Sequence, residues 1–142
     1  MTNHRQDALY ATMCSYLGLS ARDVAEIGGF SERFARDLLA GRRQFPMDTK
    51  KALFELHKAF QGLVKVGKQR VLEGQTQFYI YRTNEQLRSS PDSELWPGGF
   101  VGPYRAAMFE VWRWAAQDER KPVLLAFDSL PDTEQHDLGS ET

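Results

Sequence analysis

The residues of this chain best suited to chemistry are five arginines and their polar neighbours. Arg33 and Arg36 lie about one helical turn apart in SERFARDLLAGRR, Arg42 and Arg43 close that stretch, and Arg22 precedes it. A guanidinium is a planar fork of N–H donors that matches paired acceptors, either on a phosphate or at O6 and N7 of guanine. Ser31 adds a hydroxyl, and Glu32 and Asp37 add carboxylates able to accept from cytosine N4. The other reactive groups are dispersed. Three histidines at 4, 57 and 136 and the single Cys14 have no metal-ligand spacing. Asp92 and Glu94 stand in a loop without a partner histidine, and AEIGGF lacks the lysine of a phosphate loop. The expectation is a protein that is not an enzyme, with no catalytic residue, metal or cofactor.

The elements that must position the arginines are readable from residues 19–46, LSARDVAEIGGFSERFARDLLAGRRQFP. Ser20 is placed to cap a short helix with Val24 and Ala25 inward. Gly28-Gly29 breaks that helix, where a glycine can take positive φ without strain. Phe30 fills the corner, and Ser31 caps a second helix with Glu32 in its first turn. At about 100° per residue, Phe34, Ala35, Leu38 and Leu39 share one side of this second helix. Glu32, Arg33, Arg36, Asp37 and Ala40 share the other. A buried stripe thus holds down a helix whose outer face carries two arginines and a small alanine. That layout suits a helix entering a DNA major groove.

Val24-Ala25, the turn residue Gly29, apolar Phe30, Ser31, then Ala35 and Leu38, followed by the AGRRQFP exit, resemble the helix-turn-helix of Cro/repressor-type (XRE-like) transcription regulators. Gly28 departs from the pattern, because the family more often carries a larger apolar residue there. The resemblance implies base contacts from Ser31, Glu32, Arg33, Arg36 and Asp37. Arg22, Arg42, Arg43 and Lys50 are candidates for phosphate contacts, which set affinity and register rather than sequence.

The chain has 142 residues, 42% hydrophobic and 26% charged, and the bulk charge of −1 hides an asymmetry. Residues 1–70 hold twelve Lys or Arg against seven acids, and residues 71–142 hold six against twelve. A basic first half is expected to meet a polyanion. No apolar run is long enough to span a membrane, and MTNHRQDALY lacks a signal-peptide layout. One cysteine fits a reducing cytoplasm.

Periodicity predicts a first helix over 3–18, ended by Gly18, and a helix after Pro46 capped by Asp48 or Thr49 with Leu53, Leu56, Phe60 and Leu63 inward. Its continuation over 61–73 carries Gly62 and Gly67, so it either continues or restarts. Residues 75–82, QTQFYIYR, change to a strand pattern with Phe78 and Ile80 on one face and Tyr79 and Tyr81 on the other. A helical turn over 84–89 and a Pro/Gly loop anchored by Trp96 and Phe100 follow. Next come a helix starting at Pro103 with Tyr104, Ala107, Met108, Val111 and Ala115 inward, and a buried strand over 122–127.

The fold class is therefore mainly α: a helix-turn-helix bundle of four to five helices over 1–73, a small α+β (β-α-α-β) domain over 74–128, and an acidic, flexible tail over 129–142. Two strands and one helix enclose little core. Phe78, Tyr79, Tyr81, Trp112 and Trp114 are accordingly expected at a dimer interface. This order of elements is similar to that of phage and bacterial anti-CRISPR-associated autorepressors. The resemblance implies a cytoplasmic, homodimeric repressor of its own operon on a palindromic double-stranded operator. The alternative is a protein-interaction module, antitoxin-like or a phage accessory protein, with DNA or RNA binding secondary.

Overall fold

One long helix gives the chain its axis. In the computed structural model, which describes residues 8–128, Met47–Leu72 forms an unbroken helix, α4, of about 39 Å at 1.5 Å per residue. Three short helices precede it: α1 (Ala8–Tyr16), α2 (Ala21–Gly28) and α3 (Glu32–Leu39). After it come β1 (Gln77–Ile80), α5 (Asn84–Arg88), a 3-10 turn at Pro91–Ser93 and α6 (Val101–Arg113). A single π-helical turn, Trp114–Asp118, leads from α6 to β2 (Leu124–Phe127). The chain is mainly helical with one small sheet, in which β1 and β2 run parallel and Phe78 faces Leu125. The expected residues 3–7 of the first helix, His4, His136 and the acidic tail lie outside the described residues.

The glycines of α4 do not break it. A Cβ at Gly67 would stand 2.6 Å from Cγ2 of Val111, so this glycine lets α4 and α6 cross closely. Gly62 meets nothing within 4 Å and is tolerated on the solvent side. Buried Leu53, Phe60, Leu63 and Val71 line the inner stripe of α4 and belong to one core with Val24, Leu38, Tyr104, Met108 and Val111. That core runs without interruption past Gly74, whose φ of 108° turns the chain toward β1.

Several local expectations need correction. Pro46, not Asp48 or Thr49, precedes α4 as its cap, without a side-chain bond; Thr49 is buried inside the first turn. The helix α6 begins two residues before Pro103, at Val101. Its first turn presses on the end of α1: the carbonyls of Leu17 and Gly18 occupy the room a side chain at Gly102 would need. The first strand ends at Ile80, so the alternation stops there, and Tyr81 turns inward instead of joining exposed Tyr79. Its hydroxyl donates to Asp92 Oδ2 at 2.7 Å, as does that of Tyr104 at 3.1 Å. The second strand starts at Leu124 and is half-exposed rather than buried.

Polar links join the two ends of the fold. Asn84 donates from Nδ2 to Asp23 Oδ1 (2.9 Å) and accepts the otherwise free Val101 N–H of α6 on Oδ1 (2.8 Å). Arg88 pairs with Glu26 at 3.1 Å, donates to the Gly99 carbonyl and covers the Phe100 ring. Both acids lie on α2, so that helix is held from the far end of the chain.

Candidate nucleic-acid interface

Local bonds build the platform. Ser20 accepts from Asp23 N–H at 3.1 Å while Asp23 accepts from Ser20 N–H at 3.0 Å, a reciprocal box that starts α2. Gly29, at φ 73°, ends α2 with its N–H on the Ala25 carbonyl. The Phe30 ring then folds over Gly28, in space that a larger residue would fill, and meets Phe34 edge-on at 4.8 Å. The departure at Gly28 is thus matched by Phe30, which supplies the missing apolar volume. Ser31 caps α3 by accepting from Phe34 N–H at 3.0 Å. Ala35 and Leu38 are fully buried, with Phe34 and Leu39 packed beside them.

The opposite face of α3 is open. Ser31, Glu32, Arg33 and Arg36 are exposed. Arg36 and Glu32 pair at 3.6 Å with both side chains more than half exposed, and a pair so placed contributes about 0–1 kcal/mol. Arg33 has no ion pair among the described residues. Asp37 does not reach back to Arg33. Its two oxygens face forward, to Arg42 at 3.3 Å and Arg43 at 3.8 Å, across the turn that Gly41 makes at φ 78°. Arg43 also lies over the Phe34 ring, 5.4 Å from its centroid. The proposed contacts therefore fall into two groups: Glu32, Arg33 and Arg36 on the helix, and Asp37, Arg42 and Arg43 at its exit. Arg22 is exposed on α2, and Lys50 sits in the first turn of α4 over the Tyr10 ring.

Chemically, the arrangement offers forked donors on a helix and more donors at its end, with carboxylates that pair with three of the arginines. Nothing in it resembles acid–base machinery. Among the described residues no cluster of His, Cys, Asp and Glu could hold a metal ion. Cys14 is fully buried, and burial pushes its thiol up to about 12, far from a reactive thiolate. No helix among the described residues is long and apolar enough to cross a membrane.

The residues expected at a dimer interface divide. Tyr79 is exposed, Trp112 and Trp114 are half-buried, and Lys68 covers the Trp114 ring. Phe78 and Tyr81 are buried in the chain's own core and cannot reach another molecule. In their place Phe109, Leu124 and Phe127 are about half exposed. Phe109 was legible, because it lies across the helix from Tyr104, Ala107 and Val111. Leu124 and Phe127 were not, since only the tertiary fold leaves β2 at an edge. No protein-family model matches this chain, and no curated protein matches it significantly.

Proposed function

We propose that this chain is a sequence-specific DNA-binding transcription regulator of the Cro/repressor type, a cytoplasmic homodimer that represses its own operon and performs no catalysis. One observation carries the reading. The helix α3 is capped by Ser31 and seated on Ala35 and Leu38, while Arg33, unpaired among the described residues, and weakly paired Arg36 stand on its open side. Two copies would set two such helices in successive major grooves about 34 Å apart. Arg33 and Arg36 would read base edges, and Arg22, Arg42, Arg43 and Lys50 would meet phosphates.

The test is a footprint on the DNA upstream of the chain's own coding sequence, repeated over a salt series. Protection of a two-fold symmetric site is expected, with log affinity falling by roughly 0.9 per phosphate neutralised for each unit of log salt. Absence of duplex binding at low salt overturns the reading. A second reading, a protein-interaction module, draws on one feature: Leu9, Met47 and Phe54 line an apolar groove between α1 and α4 and are more than half exposed.

A further inference from the structure

Among the described residues the sheet is unfinished on one side. The N–H groups of Leu124 and Asp128 bond the carbonyls of Thr76 and Ile80. Backbone groups alternate along a strand, so those of Val123, Leu125 and Phe127 point away from β1. Among the described residues this edge has no strand or helix over it, and its one guard is at the exit, where the guanidiniums of Arg82 and Arg105 lie over the Phe127 ring. Leu124–Phe127 is LLAF, with no charge and no proline. By the register of the sheet, Leu125 and Phe127 lie on the face of Phe78 and Ile80, toward α6. Beyond them α6 continues outward with Phe109 and Trp112, whose rings stack at 5.6 Å. Grooves run between that ledge and the strand, lined by Ile80, Arg105, Phe109, Trp112, Leu125 and Phe127. Phe109 is 53% exposed, Leu124 56% and Phe127 51%.

We propose that this edge is the contact with a second copy of the chain, β2 pairing antiparallel with its own equivalent to make a four-stranded sheet β1-β2-β2-β1. Two features select a second copy over a foreign peptide. Identical strands related by a two-fold axis pair antiparallel automatically, so the exposed row of donors and acceptors meets its own complement. The axis leaves both α6 helices on the same face of the joined sheet, where each Phe109–Trp112 ledge meets the other. The half-exposed rings on the α6 face leave on the order of 300 Å² of apolar surface per copy, a patch size that on soluble proteins is often functional. Backbone and rim extend it toward the roughly 800 Å² per partner of a stable interface. The inference deepens the proposed dimer by naming its surface, and it holds or fails independently of DNA.

With the two-fold axis through Leu125, the two Leu125 residues form a hydrogen-bonded pair with Cα atoms about 5.5 Å apart, inside disulfide range. The experiment uses the full chain without DNA. Sedimentation equilibrium is expected to give twice the 16.3 kDa chain mass, halved by Phe109→Glu, with the helical circular-dichroism signal retained. In a Cys14→Ser background, Leu125→Cys is expected to cross-link under mild oxidation while Val66→Cys, exposed on α4, does not. Should Phe109→Glu unfold the chain, the cross-link alone decides. A monomeric wild-type chain overturns the inference and leaves the edge to a foreign strand. A dimer that Phe109→Glu leaves intact, without the Leu125→Cys cross-link, places pairing elsewhere and also overturns it. An intact cross-linked dimer that ignores DNA overturns only the regulator reading.

Discussion

The crossing of α4 and α6 yields the sharpest stability prediction, because two glycines of one helix should answer alanine with opposite signs. Gly62 is exposed in the middle of α4, and a Cβ there meets nothing within 4 Å. Gly62→Ala gains only the helix propensity, stabilising by about 0.5–1 kcal/mol. Gly67→Ala gains the same propensity but drives its Cβ to 2.6 Å from Val111 Cγ2, with Cβ and Cγ1 of Val111 at 3.5 Å. The optimum carbon–carbon separation is about 3.5–4.0 Å, and overpacking a tight contact costs about 1–3 kcal/mol. The net expectation is destabilisation by about 0.5–2 kcal/mol. Urea melts read both, and Tm should move by roughly 3 °C per kcal/mol for a chain of this size. Val111→Ala opens the space Gly67→Ala fills, so the double variant should be more stable than the singles add up to, by about 1 kcal/mol. A Gly67→Ala protein stabilised as much as Gly62→Ala, or a double variant that is merely additive, refutes the close crossing.

Other perturbations separate the roles of single residues. Arg36→Ala should weaken operator binding by about 1–3 kcal/mol and leave random DNA nearly unaffected. Arg42→Ala should weaken all sequences alike and flatten the salt slope by about one unit, both measured by fluorescence titration. Asn84→Ala removes the bonds to Asp23 and Val101 together, and should destabilise by about 1–3 kcal/mol in denaturant melts. Tyr81 is pushed up from 10.0 to about 12, first by burial and then by the bond to Asp92 and its charge, against an opposing bond from Ser90; burial raises Tyr104 further. The folded chain thus keeps protons that the unfolded chain releases. The Tyr81 contribution is complete below about pH 10 and is lost as pH rises through about 12, while Tyr104 holds its proton to still higher pH. Tyrosinate absorbance should rise together with loss of near-ultraviolet dichroism, and tyrosines that all ionise near their usual value without unfolding contradict the buried cluster.

What could be read from sequence follows the distance over which each feature acts. The α2–α3 unit was legible because Ser20, Gly29 and Ser31 bond groups three or four residues away. The inner face of α6 was legible because helical period alone brings Tyr104, Ala107, Met108, Val111 and Ala115 together. Features set across the fold were hidden. Nothing near Asn84 marks its partner Asp23, 61 residues away. Nothing near Gly102 marks the carbonyl of Gly18 against it. Tyr81 was misplaced because alternation holds only while a strand lasts, and a hydroxyl with an acceptor such as Asp92 within reach can be buried. At the candidate interface, the outward set on α3 followed from periodicity. Asp37 did not, because its arginine partners lie beyond a glycine turn that helical spacing cannot describe.

The long helix also changes what a shortened chain should do. Local closure of a core by Leu9, Val24, Leu38 and Leu53 would let residues 1–73 fold alone as a monomer. Of these, Val24, Leu38 and Leu53 are fully buried, whereas Leu9 is 60% exposed and closes nothing. The second half of α4 carries Leu63, Gly67 and Val71, and α6 covers it through Val111. Truncation after Glu73 would bare that stripe. It would also strip Asp23 of Asn84, Glu26 of Arg88 and Gly18 of its cover. Baring even two large side chains costs about 3–6 kcal/mol, a large share of the roughly 5–15 kcal/mol that holds a domain. The fragment should therefore melt far below the full chain or associate through the exposed stripe, as circular dichroism and sedimentation would report. A fragment that melts cooperatively near the full chain's temperature would mean that α6 is only loosely attached. If the fold is as tightly joined as Gly67, Asn84 and Gly102 imply, α3 and the β2 edge belong to one rigid body. The spacing of two paired α3 helices would then be set within the chain, without a hinge to adjust it.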